Sequence, residues 1–164
     1  MPSPEPASPD FWPFSLRLYA RAGVAPACLA LQDRFGRDVN LVLYLCWVGA
    51  SGRGRLTAAD LDRAESVAGP WRRETVEPLR ALRRRIKETP DAGSLYEALK
   101  AAELAAEQVA QDRLTALAPA EIRAGADRLG DALANLALYL GANAAGAAAE
   151  PLRRALADEI RLGD

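Results

Sequence analysis

Among the 164 residues there is no histidine. That absence removes Ser-His and Cys-His nucleophile pairs, histidine general bases and histidine-ligated metals together. Cysteine is nearly absent as well: Cys28 and Cys46 are too few for a disulfide framework and, without histidine, make a poor metal cage. On apolar helices both read as small core hydrophobes. Aromatic residues make up only 6% of the chain, so alanine and leucine must supply most of the packing, through close helix–helix approach. Long apolar runs are missing too. The strongest, residues 39–48, is about half of what a bilayer requires. No phosphate-binding glycine-rich loop, zinc pattern or nucleophile elbow is present. The sequence therefore points to no catalytic residue, metal or cofactor. Residues 1–9 lack a basic-then-apolar export pattern and read as a disordered lead-in, which makes the cytoplasm the expected compartment.

What is present is ordinary for a globular chain: 50% hydrophobic and 26% charged residues, at a length that suits a single domain over residues 10–164. The net charge of −1 is unevenly spread. Residues 94–164 carry eleven acids against seven bases, whereas residues 71–88 carry seven bases against three acids. Overall charge argues against general nucleic-acid affinity, while one helix can still present an anion-facing patch.

Helical signals follow one another without a convincing period-two strand, predicting an all-α bundle of about eight helices. Asp10 is placed to cap a first helix, and Gly23 and Gly36 bracket a second over residues 24–35. Asp38 caps Val39–Ala50, apolar nearly all round and read as the central helix that amphipathic partners cover. Residues 51–55 read as an exposed turn, and Thr57 caps a helix to about Val67. Gly69-Pro70 reads as a break that opens residues 71–87, where Pro78 implies a kink or a fresh start capped by Thr75. Ser94 with Glu97 forms a capping box for a long helix to about Leu117. Pro119 is expected to start another through Leu140, and a final helix follows from Glu150.

Four constellations carry possible chemistry. At 100° per residue Trp71, Leu79, Leu82 and Ile86 share one face of the basic helix, and Arg73, Arg80, Arg84 and Lys87 the opposite one. The plain reading is a solvated face; the functional one is a docking stripe for an acidic protein, nucleic acid being disfavoured because no aromatic interleaves with the stripe. The second constellation is Gln32, Asp33, Asp38 and Asn40 around Gly36. It reads as turn locking or as a polar pocket in which Asp33 and Asp38 approach as a carboxylate pair. Third, Asp127 and Asp131 stand four apart on one helix, a spacing that can hold Mg²⁺ but that no second acidic pair faces. Fourth, Trp12, Trp47 and Trp71 read as core anchors rather than a ligand cage.

The combined pattern Phe11-Trp12-Pro13-Phe14-Ser15-Leu16 with Tyr19, Ala27-Cys28-Leu29-Ala30-Leu31-Gln32-Asp33, Gly36, Asp38-Val39-Asn40-Leu41 through Trp47, and Trp71 with Pro78-Leu79-Arg80, Arg83-Arg84 and Lys87 resembles the DUF2390 family of proteobacterial proteins. The resemblance covers roughly residues 11–88 and implies a bacterial cytoplasmic setting. It implies no activity or catalytic residue, since the family is defined as a domain of unknown function. Residues 94–164 match only in being helical and read as an acidic, alanine-rich scaffold.

The reading that follows is a cytoplasmic interaction or regulatory module, not bound to a membrane, that docks an acidic protein partner on Arg73, Arg80, Arg84 and Lys87. The alternative is a small-molecule-binding protein or unusual enzyme using Gln32, Asp33, Asp38 and Asn40. A third possibility is self-association through the small-residue helices of residues 114–140.

Overall fold

A computed structural model describes residues 10–144 and 146–163, so the expected lead-in over residues 1–9 lies outside the described residues. Among these there are α and tight helical turns and no strand. Asp10 precedes α1 (Phe11–Tyr19). Helix α2 (Val24–Phe35) ends on Gly36, whose left-handed φ of 62° lets Gly36 and Arg37 donate back to the carbonyls of Gln32 and Leu31. Asp38 caps α3 (Val39–Ala50) by accepting the Asn40 backbone N–H at 2.9 Å.

Helix α3 is the hub. Every residue from Leu41 to Ala50 is buried, and α1, α2, α4 (Ala58–Trp71), α6 (Gly93–Thr115), α7 (Arg128–Leu140) and α8 (Glu150–Gly163) all touch it. Phe11 stacks on Trp47 with ring centroids 5.2 Å apart and meets Tyr44 edge-on at 5.9 Å. Against α7 (Arg128–Leu140) α3 comes backbone to backbone: a Cβ added at Gly49 would lie 2.2 Å from the Ala132 nitrogen. This is the close approach that an alanine-rich, aromatic-poor composition requires. Among the described residues no helix is long and apolar enough to cross a membrane.

Four sequence expectations are corrected. Residues 51–55 are not an exposed turn, since Ser51, Gly52 and Gly54 are buried. They are covered by residues 116–127, which are not the start of a helix at Pro119 as expected. Their polar groups serve the loop instead: Arg53 donates to the Pro119 carbonyl at 2.7 Å, and the Arg123 N–H donates to the Gly52 carbonyl at 2.9 Å. With its backbone engaged in this way and Gly125 in a left-handed conformation, the segment turns helical only at Arg128, where Asp127 caps α7 through the Gly130 N–H.

The third correction concerns Gly69-Pro70, which breaks nothing. Helix α4 (Ala58–Trp71), opened by a Thr57–Asp60 capping box, runs through Pro70 into a π turn (Arg72–Val76) and on into α5 (Glu77–Ile86). The widened turn lies directly ahead of Pro78, whose ring and missing N–H would otherwise disrupt an α-helical ladder. Thr75 therefore caps no new helix. Fourth, α6 (Gly93–Thr115) begins one residue before Ser94 with Ala92 at its cap position, so the Ser94–Glu97 capping box does not form. Helix α8 (Glu150–Gly163) closes the fold, tied through Glu159 to Arg17 of α1 and to Arg21 in the turn after it.

Candidate functional site

Helix α5 does not reach α3; it lies on α6 and has no buried residue of its own. Its inner edge meets α6 through charge. The Arg80 guanidinium spends its three nitrogens on three acceptors: Nε on Glu103 at 2.9 Å, Nη2 on Glu107 at 2.9 Å and Nη1 on the Gln32 side-chain oxygen at 2.8 Å. Arg83 takes the other carboxylate oxygen of Glu103. Burial alone would raise the Glu103 carboxyl, but the hydrogen bonds from Arg83 and Arg80 outweigh it and hold it below its ordinary value. Glu107, one helical turn on, has only Arg80 against its burial and is raised.

A neutral hydrogen-bond chain runs beside this network. Buried Gln111 donates to the Asn40 side-chain oxygen at 3.0 Å, and the Ser15 hydroxyl lies 3.0 Å from the Gln111 oxygen and 2.8 Å from the Trp12 carbonyl. Between α1, α2, α5 and α6 these groups border a cleft of about 460 Å³. Its apolar walls include Leu16, Tyr19, Leu29 and Leu104, and all four are exposed although large and apolar. A smaller cleft of about 270 Å³ adjoins it, since Gln32, Val39, Asn40, Arg80 and Arg84 line both. On its far wall the Asp38 carboxylate is paired with Arg72 at 3.2 Å, while the Asp38 N–H donates to the Tyr139 hydroxyl at 2.9 Å.

Two constellations that are separate in sequence thus share one place. Gln32, Asp38 and Asn40 line a cleft, and so do Arg80 and Arg84. Arg80 is not part of a free docking stripe, because its charge is answered from α6. Arg73 and Lys87 are exposed and line neither cleft, and neither does Asp33, exposed beside the Gln32 amide. The Asp33–Asp38 carboxylate pair does not form, since Asp38 is turned onto Arg72 and the α3 N-terminus. The aspartates of α7 are spent singly, Asp127 as a cap and Asp131 on Arg55 at 2.9 Å. The tryptophans do not meet: Trp47 is core, Trp12 walls the larger cleft, and Trp71 donates to the Ala106 carbonyl at 2.8 Å under the Arg113 guanidinium.

Sequence reasoning missed Ser15, Arg37, Arg72, Glu103, Glu107 and Gln111. For the two glutamates the signal was available, since four-residue spacing puts them on one face of α6, opposite a basic helix joined by a short linker. As for chemistry, the clefts offer paired charges and amide hydrogen bonds rather than a nucleophile. Both cysteines are buried, with burial pushing the Cys28 thiol up to about 12. Among the described residues no cluster could hold a metal ion.

Every side chain lining either cleft falls within residues 12–111. A family model, described as "Protein of unknown function (DUF2390)", matches residues 10–114. The chain belongs to the DUF2390 family. Family membership therefore spans α1 to nearly the end of α6, further than the 11–88 read from the sequence, and takes in Glu103, Glu107 and Gln111. No curated protein and no solved structure matches the chain.

Proposed function

We propose that this DUF2390 protein is a small-molecule-binding module whose larger cleft holds the apolar body of an amphipathic ligand. The observation that carries this reading is the cleft between α1, α2, α5 and α6, where exposed Leu16, Tyr19, Leu29 and Leu104 face hydrogen-bonding Asn40 and Gln111. A volume of about 460 Å³ lies in the range of ligand sites, and apolar walls with a few convergent polar groups are their usual make-up. The two free cysteines suit a reducing compartment, and a bacterial cytoplasm is part of the proposal.

The test is titration with N-phenyl-1-naphthylamine, a neutral apolar dye that fluoresces when shielded from water. Saturable binding is expected. Leu29→Gln and Leu104→Gln, both at exposed positions, should each weaken it roughly tenfold, the equivalent of losing one leucine contact. Absence of saturable binding, or binding indifferent to both substitutions, would overturn the proposal.

A second reading keeps the basic helix as a docking face for an acidic protein. It is favoured by Arg73, Arg84, Arg85 and Lys87, exposed and without an ion pair among the described residues. Charge reversal at Arg73 and Lys87, which lie outside both clefts, should remove such a partner from an affinity purification and leave dye binding unchanged.

A further inference from the structure

Where the clefts meet, positive charge is left over. Six basic side chains (Arg37, Arg72, Arg80, Arg83, Arg84 and Lys100) line the two clefts against four acidic ones (Asp38, Glu77, Glu103 and Glu107). This happens in a chain whose net charge is −1. The pairing shows which arginines stay unanswered. Arg72 is matched by Asp38 and Glu77, Arg80 by Glu103 and Glu107, and Arg83 by Glu103. Lys100 reaches Glu97, outside the clefts. Arg37 and Arg84, both lining the smaller cleft, have no ion pair among the described residues.

Arg37 is also held in place. Its guanidinium carbon lies 5.0 Å from the centroid of the Tyr139 ring, and the hydroxyl of that ring is fixed by the Asp38 N–H. Such a contact orients the guanidinium without neutralising it. The Arg37 Nε is buried without a hydrogen-bond partner, so no acceptor within the chain offsets its charge.

We propose that the smaller cleft is a phosphate-monoester subsite in which Arg37 and Arg84 bind the phosphoryl group of the ligand whose apolar body lies in the larger cleft. The inference rests on the larger cleft binding a small molecule. Charge selects the head group: a phosphate monoester carries about −1.5 to −2 at neutral pH and can answer both Arg37 and Arg84, whereas a carboxylate carries a single charge. Geometry agrees, since the guanidinium fork pairs with phosphate oxygens two at a time. Arg84 lines both clefts and so stands where head and body join.

The test compares octyl phosphate with octanoate by calorimetric titration of the whole chain at pH 7.5 and fixed ionic strength, with N-phenyl-1-naphthylamine titrated in parallel. Octyl phosphate should bind at least tenfold more tightly than octanoate. Arg84→Gln and Arg37→Gln should each cut that preference at least tenfold, and Arg37→Gln, which lies outside the larger cleft, should leave dye affinity within twofold. Equal affinity for the two head groups, or a preference that survives both substitutions, overturns the subsite. Dye binding without octyl phosphate binding removes this inference and leaves the larger-cleft reading standing; loss of both removes both. If Arg37→Gln fails to fold by circular dichroism, Arg84→Gln decides, because Arg84 is exposed and makes no ion pair that the fold requires.

Discussion

Neutralising Glu103 and Glu107 should have opposite consequences, although the two glutamates sit one turn apart on α6 and share Arg80. The Glu103 side chain is only 9% exposed and binds two arginines with both carboxylate oxygens. In Glu103→Gln one oxygen becomes an NH₂ that faces a guanidinium, so one charge-assisted bond is lost and two donors are opposed. Each such bond contributes about 1.5–3 kcal/mol, and breaking a buried pair costs about 3–5 kcal/mol. A loss of about 2–4 kcal/mol is expected, roughly 5–15 °C in melting temperature at this chain length.

Glu107→Gln should be neutral or stabilising at pH 7, because burial already disfavours the charged form and raises the carboxyl. The pH dependence has a definite sign for each. The Glu103 carboxyl is depressed in the fold, so its contribution is present above its ordinary value of 4.5 and lost as pH falls through the lower folded value. The gap between wild type and Glu103→Gln should therefore close in acid. The raised Glu107 carboxyl does the reverse: any advantage of Glu107→Gln at pH 7 should vanish below pH 4.5, where wild type is protonated too. Urea unfolding followed by circular dichroism from pH 3.5 to 8 measures both. A neutral Glu103→Gln at pH 7, or a Glu107→Gln as damaging as Glu103→Gln, would refute the assignment of the network.

Three further substitutions probe the frame that holds the clefts. Gly49→Ala places a Cβ 2.2 Å from the α7 backbone and should destabilise by about 3 kcal/mol through overpacking; a gain in melting temperature, as mid-helix propensity alone would give, would contradict the packing. Asn135 is fully buried and bonds the Leu56 N–H at 2.8 Å and the Gly54 carbonyl at 3.1 Å. Asn135→Ala should cost about 2–4 kcal/mol by leaving two buried backbone groups unmatched, and amide hydrogen exchange should show the 51–56 loop opening first. Thr57→Ala removes a formed capping box and should cost about 1 kcal/mol in denaturant melts, a value near zero counting against the cap.

The helices were legible in the sequence wherever the signal was local. Asp38, Thr57 and Gly36 act within a turn of their own position, so their capping chemistry is written in adjacent residues, and the all-round apolarity of Val39–Ala50 admits only a buried hub. The errors fell where a distant group decides. Residues 116–127 stay irregular because Arg53 and Gly52 take their hydrogen bonds. The alanine-rich half is more than scaffold because Glu103, Glu107 and Gln111 line the larger cleft and Tyr139 anchors Asp38 in the wall of the smaller one.

The site divides in the same way. Composition by itself determined that histidine chemistry is excluded, and residue spacing that the basic helix has an apolar and a charged face. It could not determine that Arg80 is spent on two glutamates of α6 while Arg84 and Arg37 are not. Ion pairing depends on which helix lies alongside, and that is set by close contacts such as Gly49 on Ala132, between residues more than eighty positions apart. Only the tertiary structure brought Gln32, Asn40 and the arginines to one place, because a cleft is what packed helices leave between them.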